Sequence, residues 1–400
     1  MPAKDAMNKV DVIITQGWGR IAYNIVRSLG RRGIKVCIGT DRFSGMADYS
    51  RYKASTFKHP CCVDKPREFV RQLREAMLFY SPEVYIPSDE EAYIVARHID
   101  AFRDLSVRIP IAPFETIRAL HLKNESSSLA SSIGIPTPHT IVPITTDDVT
   151  SFSKQYGYPI VLKKVSSSSA HGTYFLNQSA IRDFPGWMRL NDIRFGDFLI
   201  QQYVKGVGYG VSMLFNNGQM RARFTHKRLQ EISSQGGVST QRVSITNRHL
   251  EDCAEQLLKK VNYHGVAMVE FKYNEETQQS WFIEVNPRFW GSVALAIQSG
   301  VDFPYLLYKS AIDGDVDTVL DYRTGINVKW ILGDLLRLIR SMRKIRRGSY
   351  NNTHHPCVDG YDDFYWDDPL PFLAEVILAA RKKLVDRHNK ARRDICLDDL

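Results

Sequence analysis

The chain has 400 residues, of which 44% are hydrophobic and 24% charged, so it is long enough for two or three packed domains of ordinary globular composition. It contains no apolar run of roughly 18 residues and no apolar segment within residues 1–9, which argues against a membrane span and a secretory signal. Its six cysteines show no CxxC spacing, which argues against a zinc site or a disulfide framework and favours a cytoplasmic location.

The net charge of +9 arises largely from two basic stretches near the C-terminus. They consist of Arg337, Arg340, Arg343, Lys344, Arg346 and Arg347, and of Arg381, Lys382, Lys383, Arg392 and Arg393. We interpret them first as solvated helix faces, and a peripheral contact with anionic lipid or with a partner protein is the alternative. No RNA- or DNA-binding motif is present, so nucleic acid is not an expected partner.

The first part of the chain alternates between strand and helix patterns. Strands are predicted at residues 10–15, 34–39 and 84–87, and helices at residues 20–30 and 65–79. Alternation of this kind is typical of an α/β domain with a parallel, doubly wound sheet.

The pattern changes after residues 133–139, a segment rich in Gly and Pro that marks a domain boundary. Further strands are predicted at 160–162, 198–203, 211–215 and 219–225, and a helix at 248–261. Asn216-Asn217-Gly218 is a strong hairpin signal between two of these strands. The second half is therefore α+β with antiparallel sheets, and the part from about residue 327 is predicted to be helical, with a final helix that begins near Asp367–Pro371.

The most informative segment is a predicted hairpin formed by residues 265–273 and 280–286. A turn centred near Thr277 places Glu270 opposite Glu284, and Asn286 shares a face with Glu284. Like charges in that position are destabilising unless a cation lies between them. Two carboxylates and an amide oxygen suit Mg²⁺, which completes its shell with water and phosphate oxygens. An exposed hairpin with ordinary surface charges is the alternative.

Cationic residues accompany this hairpin. Arg288 follows the second strand and could hold a phosphate or a carboxylate in bidentate fashion. Lys163 ends a buried-looking strand before a loop that contains residues 166–169 and 171–172, a combination that can cover phosphates. Arg228 precedes the Gly-Gly loop at residues 235–239, whose backbone can approach a ligand closely. The alternative for both loops is an ordinary surface loop.

These elements, in this order, resemble the ATP-grasp superfamily, in particular carbamoyl-phosphate synthase domains and carboxylate–amine ligases. The resemblance covers residues 10–313, and its most specific part is residues 282–291 together with Glu270. It implies a Rossmann-like domain at residues 1–120, a small α+β lid at 121–205 and a catalytic α+β domain at 206–325. Residues 326–400 would then form a helical C-terminal extension.

The resemblance also implies the ligands of the metal and the phosphates. Glu270, Glu284 and Asn286 match the residues that bind Mg²⁺, which Mn²⁺ can replace. Lys123 matches a lysine that contacts phosphate, and Lys163 matches the lid lysine that reaches the α- and β-phosphates.

Further positions match the adenine site and the reaction centre of the family. Gln202, Tyr203 and Val204 match the hinge whose backbone binds the adenine edge, although the family usually has a glutamate where Gln202 stands. Arg228 and Arg288 match cations near the transferred phosphate and the acyl intermediate. Together with Lys163 they are the predicted catalytic residues.

The implied activity is that of an ATP- and Mg²⁺-dependent carbon–nitrogen ligase. A small-molecule carboxylate would become an acyl phosphate, which an amine then attacks, with release of ADP and phosphate. Phosphorylation of bicarbonate or carbamate, as in carbamoyl-phosphate synthases, is an alternative. The oligomeric state is left open, with a homodimer as one option.

Two other functions fit parts of the sequence. Residues 17–22 follow the pattern G-x-G-x-x-A after a strand, and Asp41 lies near the end of the next strand, so an NAD-binding oxidoreductase is an alternative. A non-catalytic ATP-binding scaffold is another. Four residues are candidates for a substrate pocket because they lie on loops expected to face the cleft, namely Arg20, Asp89, Glu90 and Ser239.

Overall fold

The computed structural model describes residues 9–41, 45–164, 172–232, 237–345 and 357–385. The first of its sheets has four parallel strands in the order β3-β2-β1-β4. These strands are β1 (Val12–Ile14), β2 (Val36–Thr40), β3 (Lys53–Lys58) and β4 (Val84–Ile86). The helices of this region are α1 (Arg20–Gly30), α2 (Pro66–Tyr80) and α3 (Glu91–Arg97). The predicted doubly wound α/β region is thus confirmed, and α1 has the predicted bounds.

A second sheet forms the small α+β unit between residues 140 and 202. Its strands are β5 (Thr140–Ile141), β6 (Ile160–Lys164), β7 (Thr173–Leu176) and β8 (Phe198–Gln202), in the antiparallel order β5-β8-β6-β7. Before it lie α4 (Phe114–His121) and α5 (Lys123–Ser132), and within it lie α6 (Thr146–Tyr156), α7 (Gln178–Arg182) and α8 (Phe184–Asn191). The unit has a hydrophobic core of its own, which includes Phe184 and Phe198.

The third sheet has seven strands in the order β13-β12-β9-β10-β11-β14-β15. They are β9 (Val207–Asn216), β10 (Gln219–Glu231), β11 (Ser239–Ile245), β12 (Gly265–Tyr273), β13 (Ser280–Asn286), β14 (Asn327–Lys329) and β15 (Gly360–Tyr361). The hairpin predicted at Asn216-Asn217-Gly218 joins β9 to β10, with positive φ at Asn217 and Gly218. Helices α9 (Arg248–Lys260), α10 (Val293–Ser299) and α11 (Phe303–Asp313) complete this unit.

The part of the chain after residue 326 is not helical throughout, contrary to the prediction. It contains α12 (Ile331–Ile345) and α13 (Leu370–Val385), but β14 and β15 also extend the seven-stranded sheet. Strands of two or three residues are too short to produce a readable hydrophobic period, which explains the error. No helix in the described ranges combines the length and the apolar character needed to cross a membrane.

The first sheet and the seven-stranded sheet share their hydrophobic cores. One core contains Ile13 and Tyr85 of the first sheet together with Val211 and Val269 of the large sheet. Another combines residues of α1 and β1 with residues of β9, β10 and β12. Among the described residues, the small unit with β6 and β8 packs around a separate core, whereas the other two sheets share theirs. This separate packing suits a lid over a cleft.

Candidate active site

The predicted carboxylate pair is present at the centre of the β12–β13 hairpin. Glu270 pairs directly with Glu284, as the sequence predicted, and Met268 pairs with Asn286. The Nδ2 of Asn286 donates a hydrogen bond of 3.2 Å to Oε1 of Glu270. A β-bulge between Glu270 and Phe271 locally bends the hairpin at this point. The three predicted metal ligands therefore lie together on one face of the large sheet.

Positive charge surrounds this pair from three elements. The Nη2 of Arg228, on β10, lies 2.6 Å from Oε2 of Glu270. Burial raises the pKa of Glu284, but the nearby Lys123 and Lys163 outweigh it and hold that pKa below its usual value. Burial is the main reason why the pKa of Glu270 is raised despite Arg228, with the charge of Glu284 acting in the same direction.

Lys163 reaches the site from the lid sheet, at the end of β6. Its side chain is buried, and this burial lowers the pKa of its ammonium group to about 8, although Glu284 acts in the opposite direction. The lysine therefore keeps its charge at neutral pH, but with a small margin. A bound phosphate favours the charged form of this lysine and would therefore raise its pKa.

The predicted site residues line a single cavity of about 630 Å³ between the lid sheet and the large sheet. They are Lys123, Lys163, Gln202, Tyr203, Val204, Arg228, Glu270, Glu284, Asn286 and Arg288. Three of the four loop candidates, Arg20, Asp89 and Ser239, also line it. The serine-rich part of the lid loop (residues 166–169 and 171) and the start of the Gly-Gly loop (residues 235–236) lie outside the described residues.

The hinge after β8 forms one end of the cavity. The backbone N–H of Gln202 donates to the carbonyl of His139 at 2.8 Å, so this amide already has a partner within the protein. Apolar and aromatic side chains line the cavity beside the hinge, among them Val161, Phe175 and Ile283. These are the surroundings that a flat aromatic ligand requires.

Arg288 links the large sheet to the first domain at the opposite end of the cavity. Its Nη1 lies 3.1 Å from Oδ1 of Asp89 and donates to the carbonyl of Phe289 at 2.8 Å, and its Nη2 lies 3.9 Å from Oε1 of Glu90. Burial lowers the pKa of this guanidinium, but Asp89 and Glu90 outweigh it and hold the pKa above its usual value. Both acidic loop candidates therefore lie beside Arg288, and Asp89 also lines the cavity.

Sequence reasoning missed a second buried ion pair that involves an arginine of the cavity wall. Arg242, on β11, lines the cavity but is only 1% exposed, and its guanidinium forms an ion pair with Asp362. The same carboxylate lies 3.7 Å from Nε of Arg20, whose guanidinium also stacks over Trp330. No local sequence pattern connects Arg242 with Asp362, because the two residues are 120 positions apart and only the fold brings them together.

Sequence reasoning assigned His226 no role of its own, although it stands two residues before Arg228. It lies on β10 and lines the cavity. Complete burial lowers the pKa of its imidazole well below the usual value, and Arg228 and Arg242 act in the same direction. His226 is therefore neutral at physiological pH.

The Gly17–Ala22 turn faces the same cavity and contributes Arg20 and Ile21 to it. A Cβ atom on Gly17 would lie 2.3 Å from Cγ2 of Ile38, so close packing of the turn against β2 already requires a glycine at this position. The glycine spacing thus has an explanation that does not involve a dinucleotide.

The three proposed metal ligands fit a Mg²⁺ site of a particular kind. Within the described residues, no group of three or more His, Cys, Asp and Glu side chains forms an all-protein metal cage. Mg²⁺ is usually held by one or two carboxylates, with phosphate and water completing its shell. Two facing, partly buried carboxylates next to an amide provide that donor set.

Part of the chain matches a known family of proteins. Residues 194–333 match the family model described as "ATP-grasp in the biosynthetic pathway with Ter operon". Urea amidolyase of Saccharomyces cerevisiae is 20% identical over 290 residues, which cover 70% of this chain but only 16% of the yeast protein.

Solved structures show the same fold. The biotin carboxylase domain of Hydrogenobacter thermophilus 2-oxoglutarate carboxylase, solved with MgADP, ADP and bicarbonate, has a TM-score of 0.64 at 15% identity and covers 80% of this chain and 73% of its own. N5-carboxyaminoimidazole synthetase from Staphylococcus aureus has a TM-score of 0.61 at 14% identity and covers 80% of both chains. The chain therefore has the ATP-grasp fold. Residues 194–333 are the part of the chain that matches the ATP-grasp family model.

Proposed function

We propose that this protein is an ATP- and Mg²⁺-dependent ligase that converts a small-molecule carboxylate into an acyl phosphate, which an amine then attacks. The observation that carries the proposal is the facing pair Glu270 and Glu284, enclosed by Lys123, Lys163 and Arg228 in one cavity. Paired, partly buried carboxylates surrounded by cations suit a metal–triphosphate complex, which brings both positive and negative charge.

In this proposal the nucleotide lies between the lid and the large sheet. Tyr203 and Val204 bind the adenine edge through their backbone, since the amide of Gln202 is bonded to His139. Lys123 and Lys163 neutralise the phosphates. Glu270, Glu284 and Asn286 hold Mg²⁺, or Mn²⁺ in its place, and the metal supplies charge neutralisation at the phosphates when it is bound.

The acceptor carboxylate occupies the end of the cavity near Arg288. Its oxygen attacks the γ-phosphorus while the bond to the ADP oxygen breaks, and Arg228 and Arg288 stabilise the negative charge that develops. The amine then attacks the acyl carbon, the carbon–oxygen bond to phosphate breaks, and the amine loses a proton. Closure of the lid keeps water from hydrolysing the acyl phosphate.

Bicarbonate is a second candidate for the acceptor. It is favoured by the similarity to the 2-oxoglutarate carboxylase domain, whose structure contains bicarbonate and MgADP. A carboxyphosphate intermediate would need the same cations and the same metal. The two candidate acceptors, bicarbonate and a larger small-molecule carboxylate, therefore differ mainly in size.

Trapping the acyl phosphate tests the proposal without knowledge of the amine. Hydroxylamine is supplied with MgATP and a panel of carboxylates, and both ADP and hydroxamate are measured. A carboxylate ligase releases the two products together with an accepted carboxylate, whereas bicarbonate as the acceptor gives ADP without a stable hydroxamate.

Variants of the carboxylate pair complete this test. We expect Glu284→Ala to reduce substrate-dependent ADP release by roughly 100-fold or more, and Glu270→Gln to raise the Mg²⁺ concentration needed for half-maximal rate. Glu276→Ala, an exposed position in the turn of the same hairpin, is the control and should behave as wild type. Wild-type turnover in Glu284→Ala would exclude the metal assignment.

The two remaining alternatives have their own readouts. A scaffold would bind MgATP in calorimetry but release no ADP with any acceptor, bicarbonate included. An oxidoreductase would enhance the fluorescence of NADH on titration and would not need Glu284.

A further inference from the structure

The last helix of the described chain carries an exposed apolar stripe. In α13, Leu370, Leu373 and Ile377 are each 54% exposed, and their spacing places them on one face of the helix. Val376 adds to this face, and Trp366, just before the helix, is 88% exposed. We call these five residues the α13 stripe. Large apolar side chains exposed in a row are uncommon on monomeric proteins and usually mark a binding surface.

The opposite face of the same helix is already packed. Pro371 and Ala374 are buried, and α13 lies against the short 3₁₀ helix Ala47–Tyr49 of the first domain. The Nε1 of Trp330 donates to Oε1 of Glu375 at 3.1 Å, which ties α13 to the start of α12. The helix is thus held firmly by the protein on one side while the stripe faces outwards.

Residues 346–356 and 386–400, the two segments outside the described ranges that adjoin the C-terminal helices, contain few large apolar residues. Residues 346–356 contain a single large apolar residue, Tyr350, among arginines, asparagines and histidines. Residues 386–400 are dominated by charged residues, and their large aliphatic residues are Ile395, Leu397 and Leu400. An external apolar partner therefore accounts better for the stripe.

The charge around the stripe indicates the kind of partner. The last five residues of α13, 381–385, hold three basic residues and no acidic one. The neighbouring α12 repeats the pattern, since Leu335 and Leu338 are exposed and residues 337–345 hold four basic residues and no acidic one. Exposed apolar residues followed by basic ones match an anionic lipid surface, where the apolar face enters the interface and lysine and arginine meet the headgroups.

We propose that the α13 stripe docks this protein on the surface of an anionic bilayer, with Trp366 at the level of the headgroups. Tryptophan is favoured at that depth because its ring is apolar and its N–H is polar. A second copy of the chain fits less well. A two-fold contact pairs the same surface of both copies, and the basic stretches 337–345 and 381–385 contain no acidic residue that could pair with the same stretches of a second copy. The proposal is independent of the catalytic function.

Vesicle sedimentation with the full chain tests the proposal. Vesicles of phosphatidylcholine alone are compared with vesicles of phosphatidylcholine and phosphatidylglycerol in equal amounts. We expect binding to the anionic vesicles to be at least roughly tenfold stronger and to weaken as salt is added. The combined variant Leu370→Glu, Leu373→Glu and Ile377→Glu should lose roughly tenfold or more of that binding.

A matched control uses exposed apolar residues elsewhere. Leu78 and Phe79 of α2 are 58% and 59% exposed, so Leu78→Glu with Phe79→Glu should leave vesicle binding unchanged. A second readout is tryptophan emission, which should shift to the blue with anionic vesicles in the wild type and not in Trp366→Phe. Circular dichroism and thermal melting verify that each variant is folded.

Three results would overturn the proposal. The first is equal or absent binding to the two kinds of vesicle. The second is wild-type binding by a folded stripe variant. The third is a wild-type dimer that becomes a monomer in the stripe variant, without vesicle binding by the wild type, which would assign the stripe to a second copy of the chain.

Discussion

The residues of the candidate site influence one another mainly through burial and charge. Glu270 and Glu284 face each other, yet their pKa values shift in opposite directions, because Lys123 and Lys163 hold that of Glu284 down while burial raises that of Glu270. Environments that separate the pKa values of two like groups are typical of functional sites. At this pair they favour the ionised form of Glu284.

Lys163 gives the site a predicted pH dependence. Its pKa of about 8 means that it is charged below that pH and increasingly neutral above it. Because the charged form attracts phosphate, we expect the affinity for a non-hydrolysable MgATP analogue to fall as pH rises through about 8 in the free enzyme. Calorimetry between neutral and moderately alkaline pH measures this decline.

A conservative variant isolates the contribution of that lysine. Arginine stays charged at all these pH values, so Lys163→Arg should remove the decline or move it well into the alkaline range. Lys154→Arg, on an exposed turn of α6, should leave it unchanged. An identical pH profile in Lys163→Arg would show that another group titrates.

At the scale of elements, the C-terminal segment completes the large sheet and supports residues of the cavity wall. The backbone N–H groups of Ile331 and Leu332, at the start of α12, donate to the carboxylate of Asp363 at 3.1 and 3.0 Å. The neighbouring Asp362 pairs with Arg242 of β11. Further along, the carboxylate of Asp368 accepts a hydrogen bond of 2.6 Å from the hydroxyl of Ser50 in the first domain. One short segment thus joins the large sheet to the first domain.

The pair of Asp362 and Arg242 should be important for stability, because both side chains are buried. Asp362→Ala leaves a guanidinium without its carboxylate, and we expect it to lower the free energy of unfolding by about 3–5 kcal/mol. The double variant Arg242→Met with Asp362→Leu should recover most of that loss, since it removes both charges. Urea unfolding measures each value.

The control for this pair is Asp321→Ala, at an exposed position of the loop before β14, which should change the unfolding free energy by less than about 0.5 kcal/mol. If Asp362→Ala is as stable as this control, the ion pair does not hold the C-terminal segment in place.

At the scale of the whole molecule, the first domain and the large sheet form one packed body, whereas the lid has its own core. The two shared cores combine strands β1 and β4 with strands β9 and β12, so neither side buries its apolar face alone. The lid core is built from residues between 149 and 200. The small unit packs around its own core, so the movement over the cavity expected of a lid would disturb neither shared core.

This arrangement predicts the behaviour of a fragment. A chain that starts at residue 121 lacks the first sheet and exposes residues such as Val211 and Leu214 that pack against it. We expect residues 121–400 to show no cooperative thermal transition and to bind a hydrophobic dye, whereas the full chain melts cooperatively. A fragment with a sharp transition of its own would contradict the shared core.

The sequence by itself determined the features that depend on local patterns. Strict alternation in residues 265–273 and 280–286 defined the hairpin, and its symmetry about Thr277 placed Glu270 opposite Glu284, as the structure confirms. The Asn-Gly turn and the bounds of α1 followed from turn chemistry and helical period in the same way. These signals are readable because the residues that produce them are neighbours along the chain.

Only the tertiary structure decided what depends on distant parts of the chain. Arg242 meets Asp362 across 120 positions, Arg288 meets Asp89 across almost 200, and β14 and β15 join the large sheet although they are too short to show a period. The cavity itself is such a feature, because its walls come from the first domain, the lid and the large sheet. Burial and long-range charge, which set the pKa values of Lys163 and Glu284, exist only once those walls are assembled.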